Sequence, residues 1–242
     1  MKRYGFLLGS MVVLASVAMI SSAQAAMSPY FTAKVYDLKD HSKLMFNYKS
    51  EVETIGDIKT QVNTVTDLGG EVLVVETTKL KASDGSLISF EQDQKQLATV
   101  GKVEIRDGKA FFTFTKEGKT KTDSENAGDD FIVTSTLLPH VHAHWDQLMK
   151  GETVKMRLAV LDRQESVGFQ FKKEGEKKVG EKSTVILKMK ASNLIISAIV
   201  NPLFFTFDTT TKKLLELEGR TSVKVKVDGK FKDFDGYTVY DY

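Results

Sequence analysis

Cysteine is absent from the 242 residues. That excludes disulfide staples, a thiolate nucleophile, cysteine-ligated metal and the cysteine-borne lipid anchor of a lipoprotein. Proline is scarce: Pro29, Pro139 and Pro202 are the whole complement. No Pro- or Ser-rich linker divides the chain, so residues 26–242 are expected to form a single domain. The sequence holds no G-x-S-x-G, H-E-x-x-H or G-x-G-x-x-G, the spacings that serve a serine nucleophile, a zinc protease and a dinucleotide. No catalytic residue, enzymatic activity or cofactor is therefore expected. No fixed-period repeat occurs either.

Charge of one sign is lacking as well. The chain carries 34 basic and 32 acidic residues, and two of the basic ones, Lys2 and Arg3, precede an almost unbroken apolar run from Phe6 to Ile20. Ala23-Gln24-Ala25 then supplies a small-x-small triplet, so residues 1–25 read as a cleavable export signal and the mature chain starts at Ala26. Without Lys2 and Arg3 the balance is 32 against 32. Nucleic acid is not expected as a partner. An exported chain without a lipid anchor is expected in the periplasm.

What is present is alternation. Phe31, Ala33 and Val35 share one face, as do Leu44, Phe46 and Tyr48. Ile58–Thr66 and 70–81 read as further strands, the second with Leu73 and Val75 opposing Val72 and Val74. After residue 150 the pattern repeats in Val154, Met156, Leu158 and Val160, in Val167, Phe169 and Phe171, in Val185, Leu187 and Met189, and in Val223, Val225 and Val227. Asp84-Gly85, Asp107-Gly108 and Asp228-Gly229 are hairpin signals, and Glu117-Gly118 and Glu174-Gly175 mark further turns. Residues 119–129 are polar and read as a surface loop. Short strands with no intervening helices argue for an antiparallel sandwich or barrel.

One stretch breaks the pattern. Leu137, Leu138, Val141, Trp145, Leu148 and Met149 recur at helical spacing within about a third of the circumference. Thr136 is placed to cap such a helix, Pro139 falls in its first turn and Gly151 follows Lys150 as a stop. A mainly β fold is expected: an antiparallel curved sheet or half-barrel wrapped around one short central helix over 137–150. A second short apolar helix at 192–200 is an alternative to a strand there, and the run Leu203–Phe207 reads as a core strand or as part of that apolar element.

His140, His142 and His144 invite a metal reading. In a strand all three would point one way; on a helix His140 and His144 share a face and His142 lies roughly 160° away. Two imidazoles without a third ligand make a poor zinc site, so His140 and His144 are expected to flank a buried stripe. The loop from Gly175 to Ser183 has the glycine spacing of a phosphate-binding loop, but Glu181 stands where lysine must reach the phosphates. It reads as a charged hairpin. The carboxylates at Asp37, Asp40, Asp129, Asp130 and Asp146 read as surface groups.

Apolar surface remains. If the sheet curls around the helix, Val141, Trp145, Leu148 and Met149 meet Met156, Leu158, Phe169 and Phe171, and a gap among these eight side chains would suit an acyl chain.

The leader, the alternating strands, the corner Trp145-Asp146-x-Leu148-x-x-Gly151 and the run Asn201–Arg220 (NPLFFTFDTTTKKLLELEGR) together resemble exported bacterial proteins of unknown function with a half-barrel fold. That fold is similar to the periplasmic carriers and acceptors that move lipoproteins to the outer membrane. The resemblance implies hydrophobic-ligand binding, with a lipid-like small molecule as partner and a cell-envelope protein as a second kind of partner; it transfers no individual residue. Two alternatives stand beside it. One is an outer-membrane β-barrel, suggested by the alternation and by Tyr240 and Tyr242 near the end; the other is a metal-binding protein or metal-dependent hydrolase built on His140 and His144.

Overall fold

The computed structural model describes residues 27–193 and 200–242. The leader read at 1–25, and 194–199 of the apolar segment, lie outside the described residues.

Each alternating run forms a strand because one set of side chains can leave water while the other stays in it. The first half of the chain gives β1 (Ser28–Asp37), β2 (Leu44–Ile55), β3 (Ile58–Thr66), β4 (Val72–Lys81), β5 (Leu87–Gln94), β6 (Thr99–Arg106), β7 (Lys109–Lys116), β8 (Lys119–Asn126) and the two-residue β9 (Phe131–Ile132). Two short helices follow, α1 (Leu137–Ala143) and α2 (Trp145–Met149). The second half gives β10 (Val154–Val160), β11 (Glu165–Val179), β12 (Lys182–Ala191), β13 (Leu203–Asp208), β14 (Leu214–Val227) and β15 (Lys230–Asp241).

The fifteen described strands make one curved sheet in the order β8-β7-β6-β5-β4-β3-β2-β1-β15-β14-β13-β12-β11-β10-β9. Neighbouring strands in this order pair antiparallel except β9 and β10, which are parallel. The two ends of the described chain pair with each other, Ala33 opposite Tyr240 and Val35 opposite Thr238. That join moves the free edges to the middle of the sequence, at β8 and β9. The sheet is not closed there.

Hairpin signals position several corners. Asp107, Glu117 and Asp228 have φ of +51°, +50° and +51°, each followed by a glycine at positive φ, so three two-residue turns link their strands tightly. Two expectations are corrected. Residues 119–126 are strand β8 rather than loop, because Lys119–Asn126 pair with Lys109–Lys116 even though no apolar face asks for it. Glu174-Gly175 is no turn but an irregularity inside β11, where the register shifts between Lys173 and Gly175; the turn comes at Gly180, with φ +59°. Leu203–Phe207 lie in strand β13.

The helix expected over 137–150 is broken in two at His144, whose φ and ψ are −109° and 18°. The cause is local. The His144 ring Nδ1 lies 2.9 Å from the His140 carbonyl oxygen, the same oxygen that the His144 backbone N–H reaches at 3.2 Å. The imidazole thus shares one acceptor with the backbone N–H at the break, a local side-chain-to-backbone bond that competes with regular helix. Thr136 does not cap α1: its hydroxyl accepts from the Val133 N–H at 2.9 Å and donates to the Val133 carbonyl at 3.0 Å, closing a 3-10 turn at Thr134–Thr136. Gly151 does end the segment, at φ +83° with its N–H on the Leu148 carbonyl.

The helical segment buries Val141, Trp145 and Leu148 against Val154, Met156, Phe171, Leu187 and Phe207 of β10–β13. Two smaller clusters lie elsewhere, one around Val74, Val223 and Phe234 and one around Val103, Phe112 and Leu161. Both edges of the sheet are tied down by side chains. Leu161, after β10, packs on Gly101 of β6, where a Cβ would come within 2.6 Å of the Leu161 Cβ. Glu125 of β8 accepts from the Ser166 N–H at 3.1 Å and also from the Ser166 hydroxyl, and lies 3.7 Å from Arg157.

Candidate functional site

Between the β1–β4 wall and the β10–β15 wall the interior is not filled. A cavity of about 360 Å³ opens there, within the range of small-molecule sites. Its far wall is apolar, made by Leu158, Phe169, Met189, Phe205, Leu214 and Leu217. The roof is Thr134 to Pro139 of the 3-10 turn and the first turn of α1. Pro139 fits this place because its missing N–H belongs to a helix's unpaired first turn.

The near wall is different. On β2, β3 and β4 the inward positions carry Tyr48, Gln61, Asn63 and Glu76 among apolar neighbours such as Val65. Asn63 and Glu76 are paired across the β3–β4 ladder. Gln61 Nε2 donates to Ser50 Oγ at 3.0 Å and to Asn63 Oδ1 at 3.1 Å, and Ser50 Oγ donates to Asn63 Oδ1 at 2.8 Å. Gln92 Nε2 donates to Glu76 Oε1 at 2.9 Å. Burial pushes the Glu76 carboxyl above the usual carboxylate range, against the pull of its Gln92 and Asn63 donors. Burial, then the nearby Glu76, raises the Tyr48 phenol well above its ordinary value. Thr78 and Ser135 share a short hydroxyl contact that ties β4 to the roof.

Of the eight side chains expected around a gap, Leu158 and Phe169 line this cavity. Val141, Trp145, Leu148, Met156 and Phe171 pack into solid core instead, and Met149 lies partly buried against it. The correction has a plain cause. Phe207 reaches the Trp145 ring at 5.7 Å between centroids and fills the space under the helices, so the vacancy falls beside the roof rather than beneath Trp145. Tyr48, Gln61, Asn63 and Glu76 were not anticipated. Their signal was present: Gln61 and Asn63 share the face of Val65, and Glu76 that of Val74, so polar groups occupy inward positions.

The histidines do not converge. The His140 and His144 rings lie 4.5 Å apart, while His142 Nε2 faces the Lys212 carbonyl oxygen at 2.8 Å. Burial, then the neighbouring His144, lowers the His140 pKa. Among the described residues no group of three His, Asp or Glu side chains is arranged to hold a metal ion.

Fold and cavity together define a β-barrel-like protein: one open curved sheet around an internal chamber. No protein-family model and no curated protein matches the chain. Among solved structures it is similar to a β-barrel-like protein of a domain of unknown function, DUF1849, from Brucella abortus. The TM-score is 0.50 at 12% identity, over 89% of this chain and 98% of that one. At that identity the likeness concerns the fold.

Proposed function

We propose that this protein is a non-enzymatic, periplasmic binding protein that holds a lipid-like molecule in its chamber and serves lipid or lipoprotein handling in the cell envelope. The observation that carries the reading is the 360 Å³ cavity with an apolar wall running from Leu158 to Leu217. A chain seated there gains from leaving water, and the protein loses nothing by desolvating leucine and phenylalanine. The leader read at residues 1–25 favours export. Outward positions of the sheet favour a water-facing rather than a bilayer-facing exterior: Lys49, Glu91, Lys155, Arg157 and Lys190 are exposed, whereas a membrane barrel turns apolar side chains outward.

The test is direct. Protein released from cells by osmotic shock is analysed by native mass spectrometry and solvent extraction, then titrated with single-chain amphiphiles of increasing length. Each methylene buried is worth about 0.8 kcal/mol, so affinity is expected to rise roughly fourfold per carbon until the chamber is full. A protein that carries no extractable lipid and binds every chain length equally weakly would overturn the reading.

A further inference from the structure

A hydrocarbon chain alone has no use for the near wall. Gln61, Asn63 and Glu76 are 9%, 3% and 5% exposed, yet all three line the chamber. Buried amides and carboxyls cost free energy unless their hydrogen bonds are met. Here they are not all met. Gln61 uses its Nε2 on Ser50 and Asn63, and its Oε1 has no partner among the described residues. Glu76 Oε2 is reached only by Asn63 Nδ2, at the long distance of 3.5 Å. The vacant capacity is for donors: Gln61 and Glu76, on neighbouring strands and two residues out of register, both line the chamber.

No lysine or arginine among the described residues pairs with Glu76. Two cations line the chamber among the described residues, Arg220 and Lys59. Arg220 is held by Asp233 and by Asp235, the latter at 2.6 Å. Lys59 sits over the Tyr30 ring, 6.0 Å from its centroid, two residues along β3 from Gln61 and four from Asn63.

We infer that the ligand is an amphiphile whose head group carries hydrogen-bond donors and no negative charge, a hydroxyl or an amine, seated against Gln61, Asn63 and Glu76 with its chain along Leu158, Phe169 and Leu217. This deepens the lipid-binding reading and rests on it. A hydroxyl or ammonium head supplies the protons that Gln61 Oε1 and Glu76 Oε2 lack. A carboxylate or phosphate head seated there would be stripped of water beside the Glu76 carboxyl, which no cation among the described residues pairs with.

The experiment compares probes with the same twelve-carbon chain: dodecanol, dodecylamine, dodecanoate and dodecyl phosphate, titrated calorimetrically at neutral pH. Dodecanol or dodecylamine is expected to bind about tenfold or more tightly than either anion, a gap that reports the head alone because the chain is constant. Glu76→Gln, whose amide can donate to an anion, is expected to narrow the gap. Gln61→Met, which removes the vacant acceptor but keeps the shape, should weaken the hydroxyl head and leave chain-length dependence intact, and it serves if the first variant folds poorly. Anions binding as well as or better than the other two heads would overturn this inference while leaving the carrier reading standing. Binding of none of the four probes would overturn both.

Discussion

At the scale of single residues, Glu76 has the most to say. Its carboxyl is buried between Asn63 and Gln92, and burial holds its folded pKa above the ordinary value of 4.5. A carboxyl raised in the folded state binds its proton more tightly there than in the unfolded chain. Its contribution to stability is therefore fully present below the unfolded value and is lost as pH rises through the folded one. Glu76→Gln removes that dependence. Urea unfolding of both proteins at acid and mildly alkaline pH should show the variant gaining on the wild type as pH rises. A difference independent of pH would contradict a Glu76 whose pKa is raised by burial. His140 runs in the opposite sense. Its pKa is lowered by burial, so its share of stability is present above the ordinary histidine value and is lost as pH falls.

At the scale of elements, the seam between the two halves of the sheet depends on a few side chains instead of a backbone ladder. Gly101 of β6 leaves the room that Leu161 occupies, and a Cβ there would lie 2.6 Å from the Leu161 Cβ and 3.0 Å from its Cδ1. Overpacking of this kind costs about 1–3 kcal/mol. Gly101→Ala should lower stability by that order in denaturant titration. Hydrogen exchange should rise first in β8 and in the 3-10 turn at Leu161–Arg163, the elements that lose their partner. Uniform exchange across all fifteen strands would mean that the seam is not a local weak point. The helical segment belongs to the same scale. The leucine and tryptophan spacing made a helix legible from 137 to 150. The kink at His144 was not legible, because it depends on which carbonyl the imidazole finds once the turns exist.

At the scale of the whole molecule, a chamber survives because the two walls are held apart. On one side α1 and α2 consume the apolar face of β10–β13; on the other, Gln94 and Gln96 bind the backbone of β14 at Ser222 and Lys224, at 2.7 Å each. The space left between these supports is the space offered to a ligand. Filling it should abolish binding without unfolding the protein. Leu217→Trp, at a partly buried lining position, is expected to reduce affinity for a twelve-carbon amphiphile about tenfold or more, with thermal unfolding near that of the wild type. Unchanged affinity would place the ligand elsewhere.

The sequence by itself determined the strands and the direction of their faces, because a period of two in apolar side chains has only one way to leave water on a pleated backbone. It determined the helical interruption for the same reason, through a different period. It did not determine where the interior would be left empty. Trp145 and Leu158 both read as inward apolar residues, and only the packed structure decides that Phe207 meets Trp145 while Leu158 lines the open space. The sense of the polar wall was likewise decided in three dimensions. Gln61, Asn63 and Glu76 are ordinary hydrophilic residues along the chain; they become a binding surface when the curvature of one sheet turns them inward, away from water that would otherwise satisfy them.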